Sequence, residues 1–198
     1  MIDGNSTKAE VLEAVKEDGR ALQDASQNLR GDKEFVLEAV RQNGYALEFA
    51  NEEWKGDRDV VLEALKQDGY ALGCASQELR ADREVVLVAV KQSGHSLEFA
   101  SDELRGDRGV VLAAVGQTGY ALEFANEVLR NDREVVLAAV RQNWNALAYA
   151  SDELKRDKEV VLEAVKQNWR ALDYLSEELQ MEIVQCWAKR MDCEVKNE

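Results

Sequence analysis

The chain has 198 residues, 32% of them charged, and a formal net charge of −14 at neutral pH. Such acidity repels nucleic-acid phosphates and anionic membrane surfaces, and no apolar run approaches the roughly 18 residues that a membrane span needs. Proline is absent altogether, so the commonest helix breaker plays no part.

Residues 1–6 read as an N-terminal tail, and the opening MIDGNSTKAE lacks the basic and apolar regions of a secretory signal. From residue 7 a 25-residue unit recurs seven times without insertion, over 7–31, 32–56, 57–81, 82–106, 107–131, 132–156 and 157–181. Positions are counted within the unit so that DKEFVLEAVRQNGYALEFANEEWKG, residues 32–56, runs from position 1 to position 25. One such unit cannot bury its apolar face alone, whereas stacked units share a continuous core.

The first half of the unit predicts a helix. Asp32, Asp57, Asp82, Asp107, Asp132 and Asp157 stand at position 1 as N-caps, with acids behind them at the positive helix end. Apolar residues at positions 5, 6, 8 and 9 form one face, and a cation at position 10 suits the negative end. Asn-Gly at positions 12 and 13 is expected to stop the helix, with glycine in the left-handed conformation of a C-cap. A short apolar element of the YALEF type follows. Serine or asparagine at position 20 then caps a further turn.

Alanine fills position 8 in every copy, from Ala14 to Ala164, which predicts close helix approach. The first copy breaks pattern with Glu10, Arg20 and Asp24, so positions 4, 14 and 18 are expected to face the preceding unit. Cations at positions 2 and 24 lie beside acids in sequence and are expected to form lateral ion pairs between rungs. Running past the last unit, Leu179, Ile183, Cys186 and Trp187 make an apolar stripe, which predicts a capping helix, with 182–198 assigned to that helix and a tail. The fold class expected is all-α, a right-handed solenoid of seven repeats with a capped end.

The phrase DREVVLxAVxQNGYALEFASxELR resembles the helical repeat of the domain of unknown function 4116 family, over roughly residues 7–181. That resemblance implies a tandem helical array and carries over no catalytic residue. One longer helix plus short helical turns is also similar in layout to a leucine-rich variant solenoid, as an analogy of shape only.

No reaction is legible. His95 is the only histidine and occupies position 14, where Tyr45, Tyr70 and Tyr120 stand in other copies, so it reads as a groove-filling ring. Phosphate-binding glycine loops, nucleophile elbows and metal-ligand spacings are missing, and carboxylates repeated on solvated helix starts offer no unequal acid–base pair. Cys74, Cys186 and Cys193 contain no CxxC and fit free thiols in a reducing, cytoplasmic compartment. The expectation is a non-enzyme without cofactor or metal.

Candidate contacts lie where rungs depart from the consensus. Position 7, glutamate in most copies, becomes Val88, Ala113 and Ala138 in the middle units, and Gly109, Gly116, Thr118 and Ala148 soften neighbouring positions. Such a strip on a charged surface suits a contact. Trp144 and Trp169 replace the glycine of position 13, while Asn145 and Arg170 replace the following aromatic. Tryptophan tolerates positive φ poorly, so an altered turn is expected there, with the indoles either filling the inter-unit groove or forming a platform. The reading is a monomeric scaffold that binds a protein or peptide, with no nucleic-acid or membrane partner. Its alternatives are a structural, self-assembling element and the substrate-recognition module of a larger protein.

Overall fold

The computed structural model describes residues 8–185, and all regular secondary structure in that range is helical. Seven long helices span Lys8–Glu17, Lys33–Gln42, Arg58–Gln67, Arg83–Gln92, Arg108–Gln117, Arg133–Gln142 and Lys158–Gln167. Each is followed by a six-residue 3-10 helix, from Gly19–Asp24 in the first unit to Trp169–Tyr174 in the last. Short elements such as Gln77–Arg80 and Asp102–Arg105 then lead into the next long helix. The order repeats along the chain and neighbouring units pack in sequence, which makes the fold an all-α solenoid.

The aspartates at position 1 cap as expected. Asp57 accepts from the backbone N–H of Asp59 at 3.0 Å and Val60 at 3.1 Å, and Asp132 from Glu134 at 3.0 Å and Val135 at 3.1 Å. Position 12 caps as well, but for the element that follows. The Asn43 carboxamide oxygen accepts from the N–H of Tyr45 at 3.0 Å, and the Asp68 carboxylate from that of Tyr70 at 2.8 Å. The chain turns through this extended residue (Asn43 has φ −153°, ψ 113°), and no described glycine has positive φ.

Glycine at position 13 is therefore not a left-handed cap, as the sequence suggested. Its role is clearance. A Cβ on Gly44 would lie 2.5 Å from the carbonyl oxygen of Ala64, and one on Gly94 would lie 2.4 Å from that of Ala114. Gly19, Gly69 and Gly119 face the alanine carbonyl of the next unit in the same way. The alanine of position 8 and the glycine of position 13 are two halves of one close approach.

Positions 4, 5, 8, 9, 15 and 16 supply the core. Phe35, Val36, Ala39, Val40, Ala46 and Leu47 are buried in the second unit, and their counterparts recur up the stack. Each fully buried leucine at position 16 contributes about 1.5–3 kcal/mol relative to exposure. The backbone of the short elements is tied between rungs: the N–H of Ser76 donates to the Lys55 carbonyl at 2.8 Å, and that of Ser101 to the Arg80 carbonyl at 2.9 Å.

Rings fill the seam beside the 3-10 helices. Phe99 meets Tyr70 edge-on at 6.1 Å, Phe124 meets His95 at 6.1 Å, and Tyr149 meets Tyr120 at 6.1 Å. Position 18 thus faces the preceding unit, as expected, and so does position 4, where Phe35 receives the Lys8 ammonium 5.3 Å from its ring centre. Position 14 does not behave that way alone, because it receives the ring of the following unit. In an α-helix residues four apart share a face, but with three residues per turn they point about 120° apart.

The ladder at position 2 crosses from rung to rung. Lys8 pairs with Asp32 at 2.9 Å, Lys33 with Asp57 at 2.6 Å, Arg83 with Asp107 at 3.0 Å and Arg133 with Asp157 at 3.1 Å. The Lys8 ammonium holds the Asp32 carboxyl below its ordinary value of 3.8, and the Arg83 guanidinium does the same for Asp107. Asp57, Asp132 and Asp157 are lowered too, since partial burial pushes them up but cations and helix N–H groups outweigh it. A lowered folded-state value means that stabilisation is present above the unfolded value and lost as pH falls through the folded one. The melting temperature should accordingly hold near neutrality and fall progressively below about pH 4. Circular-dichroism melts across that range check this, and an acid-independent melt would contradict it.

At the far end, helix runs over residues 177–185, starting inside the seventh repeat instead of at 182. Ile183 is buried and Leu179 packs against the core, while Lys158 pairs with Glu182 at 3.0 Å and extends the ladder by one rung. Cys186, Trp187 and the remainder of the expected capping segment lie outside the described residues, as does the N-terminal tail.

Candidate interaction surfaces

Three surfaces present the residues that differ from rung to rung. Along the rim of the long helices, the position-7 glutamate is exposed in the first unit (Glu13) and half-buried at Glu38, Glu63 and Glu163. Glu63 accepts from Arg41 of the preceding unit at 3.3 Å and from its own Lys66 at 2.7 Å. Glu163 repeats this with Arg141 at 3.8 Å and Lys166 at 3.2 Å. Between them the ladder stops. Val88 is exposed, whereas Ala113 and Ala138 are half-buried against the core and less outward than their sequence pattern implied. A Cβ added to Gly116 would meet nothing within 4 Å, so no packing demand accounts for that glycine.

The two tryptophans part company. Trp144 is half-buried against the core, and its ring lies 6.2 Å from that of Tyr174. It therefore covers the position-18 ring of the next unit, as the position-14 aromatics do elsewhere. Asn145 puts its amide to use: its Nδ2 donates to the Tyr120 hydroxyl at 2.6 Å, and its Oδ1 accepts from the Tyr174 hydroxyl. Trp169 occupies the same position in the last unit but is 65% exposed. The expected change of turn does not occur. Asn143 (φ −154°, ψ 119°) and Asn168 (φ −154°, ψ 122°) match Asn43, because the turn never needed a positive φ. What is lost is the clearance that glycine gives elsewhere, since the Cβ of Trp144 stands where Gly44 and Gly119 have none.

The third surface was not singled out from sequence. Successive units leave open clefts of about 290–410 Å³ between them on the face of the short elements. The aromatic of position 18 and cations of position 24 recur in their walls. Arg130 and Tyr149 line one, Arg80 and Phe99 another, and Arg30 and Phe49 a third. The lateral ion pairs expected at position 24 are absent among the described residues. Lys55 pairs within its own unit with Glu52 at 2.8 Å, Lys155 with Asp152 at 3.9 Å, and Arg105 with Asp102. Among the described residues Arg30, Arg80 and Arg130 have no ion pair, and the Nε of each, like that of Arg105, is buried without a hydrogen-bond partner. The short element is one turn long, so its cation can reach back to an acid at its own first residue; Gln27 and Gln77 offer Arg30 and Arg80 none, while Arg130 does not pair with Glu127. The one legible signal was the regular pairing of an aromatic at 18 with a cation at 24.

Among the described residues no cluster of histidine, cysteine or acidic side chains could hold a metal ion, and no helix is long and apolar enough to cross a membrane. Cys74 is half-buried, and desolvation pushes its thiol up, away from the reactive thiolate.

Stacked helical units, each contacting chiefly its neighbours and leaving repeated clefts along one face, define the class of α-solenoid repeat proteins. The chain belongs to the family described as Domain of unknown function (DUF4116), whose model matches residues 11–55, 57–105, 107–155 and 137–180. Two of these matches, 57–105 and 107–155, each run through a pair of consecutive units. Comparison with curated proteins and with solved structures returned no match.

Proposed function

We propose that the chain is a non-catalytic scaffold that recognises an extended protein or peptide segment along the face of its short elements. The observation that carries this reading is the recurrence of clefts in register, each offering a ring and a cation, with carboxylates nearby in all but the one between the third and fourth units. A repeated set of side chains at regular spacing matches the repeat of an extended backbone, and solenoids use such surfaces for recognition. Nucleic acid is the poorer occupant, given a net charge of −14.

The test is selection of a random dodecapeptide library on the full chain, with amide chemical-shift mapping of the enriched peptides. Shifts concentrated at positions 17 to 24 of successive units are expected. Failure to enrich any peptide, or shifts confined to the rim at Val88, Ala113 and Ala138, would count against the proposal.

Self-assembly is the second reading, and one observation favours it. Trp169, Tyr174, Met181 and Val184 are all exposed at the C-terminal end. At the other end Glu10, Arg20 and Asp24 keep the first unit polar and exposed, which does not suit head-to-tail growth. Light scattering over a wide concentration range separates the readings, since growth with concentration would favour assembly over a monomeric scaffold.

A further inference from the structure

The cleft between the third and fourth units differs from its neighbours in charge. It is lined by Gln77, Arg80, Phe99, Ala100 and Ser101, with no carboxylate in its wall. Elsewhere acids share the space: Glu48 and Glu52 stand beside Arg30, and Asp102, Glu123 and Glu127 beside Arg105 and Arg130. Position 21, which supplies the ion-pair partner in the second, fourth and sixth units, is Gln77 here, so Arg80 has no acid at that place in its own short element. Glu48 and Glu52, and likewise Glu123 and Glu127, enter their clefts from the later unit of the pair; their counterparts Glu98 and Asp102 do not line this one, and Asp102 pairs with Arg105. Arg80 is half-buried beside the Phe99 ring, its Nε has no hydrogen-bond partner, and no carboxylate is in ion-pair range among the described residues.

A buried guanidinium nitrogen without a partner loses its hydration and gains nothing in return. A carboxylate in the cleft would pair with the terminal nitrogens of the Arg80 guanidinium, as Asp102 does with Arg105, and offset part of that cost. We propose that this cleft binds an aspartate or glutamate side chain of an extended partner segment, with the Arg80 guanidinium as its ion-pair partner and Phe99 beneath it. The proposal rests on the peptide-recognition reading and names the partner's chemistry. The adjoining cleft, with Asp102, Glu123 and Glu127 against Arg105 and Arg130, calls for the opposite sign. Rungs are spaced by about 10 Å, or roughly three extended residues, so a basic side chain about three residues from the acidic one would meet those carboxylates. A continuous polyanion such as a nucleic-acid backbone would meet them too, and be repelled.

The experiment uses the peptides enriched from the random dodecapeptide library on the full chain. Enriched sequences should share an acidic residue, and Arg80→Gln should weaken their binding by about tenfold or more. Arg58→Gln, on the ion-pair ladder of the long helices, should leave it unchanged. Should Arg80→Gln fail to melt as a folded protein, Arg80→Lys carries the test, because it keeps the charge but loses the planar fork and should still weaken binding. Enriched peptides that bind both Arg80 variants as well as the unaltered chain overturn the assignment while leaving peptide recognition standing. No enrichment at all removes both. Arg80-dependent binding of fluorescein-labelled single-stranded oligothymidine would overturn it in favour of a nucleic-acid phosphate.

Discussion

Alanine in place of Gly44 is expected to cost about 1–3 kcal/mol, in line with overpacking of a closely packed interior. The added carbon would sit 2.5 Å from the Ala64 carbonyl oxygen, and that neighbour is backbone, which cannot swing aside as a side chain can. The second and third units would have to separate locally, and in a linear stack the lost contact energy has no other interface to draw on. Gly116→Ala should do the reverse. Its Cβ enters open space in the last turn of a long helix, so removing glycine's conformational freedom should stabilise by up to about 1 kcal/mol. Urea unfolding of the two variants checks both signs at once. A Gly44→Ala protein as stable as its parent would show that the close approach is not a constraint.

Trp144→Ala is expected to destabilise by about 1–3 kcal/mol, less than for a fully buried ring because the indole is only half-covered. It removes the cover of Tyr174 and leaves a gap between the sixth and seventh units. Trp169→Ala, with its side chain largely in solvent, should stay within about 0.5 kcal/mol of the parent. The pair therefore separates packing from recognition. Loss of captured peptide on Trp169→Ala at unchanged melting temperature would make that tryptophan a contact residue. Equal destabilisation by both substitutions would mean that the last unit's exposed ring is covered in solution.

Much of the local structure was legible because it is decided within a few residues. An aspartate ahead of an acid and two valines caps a helix wherever it stands, and six of the seven long helices carry that cap. The resemblance of the repeat to its family was legible for the same reason, since the phrase recurs in register through the chain. The misreadings share a different cause. Asn-Gly looked like a left-handed stop because that is its commonest local meaning, yet at Asn43 and Gly44 the constraint comes from a carbonyl twenty residues away. Trp144 then appeared to demand a new turn, yet Asn143 keeps the turn of the other units.

Surface chemistry was the least legible part. Val88, Ala113 and Ala138 stood out as departures from glutamate, but only the packed rungs show that Ala113 and Ala138 are half-covered and Val88 is not. Arg30, Arg80 and Arg130 looked like every other cation at position 24. Gln27 and Gln77 already deny two of them an acid at the start of their own short element, but that Arg130 does not pair with Glu127 shows only in the folded stack.

The sequence by itself determined the period, the helical class, the caps and the alternation of core and solvent positions, because these follow from side-chain propensity and spacing along one unit. The tertiary structure decided how near the units come, which ring covers which, and which charges are answered. Those are properties of the interface between rungs, set by side chains roughly one full repeat apart. Gly44 against Ala64, and Arg80 beside Phe99, acquire their meaning only when the stack brings them together.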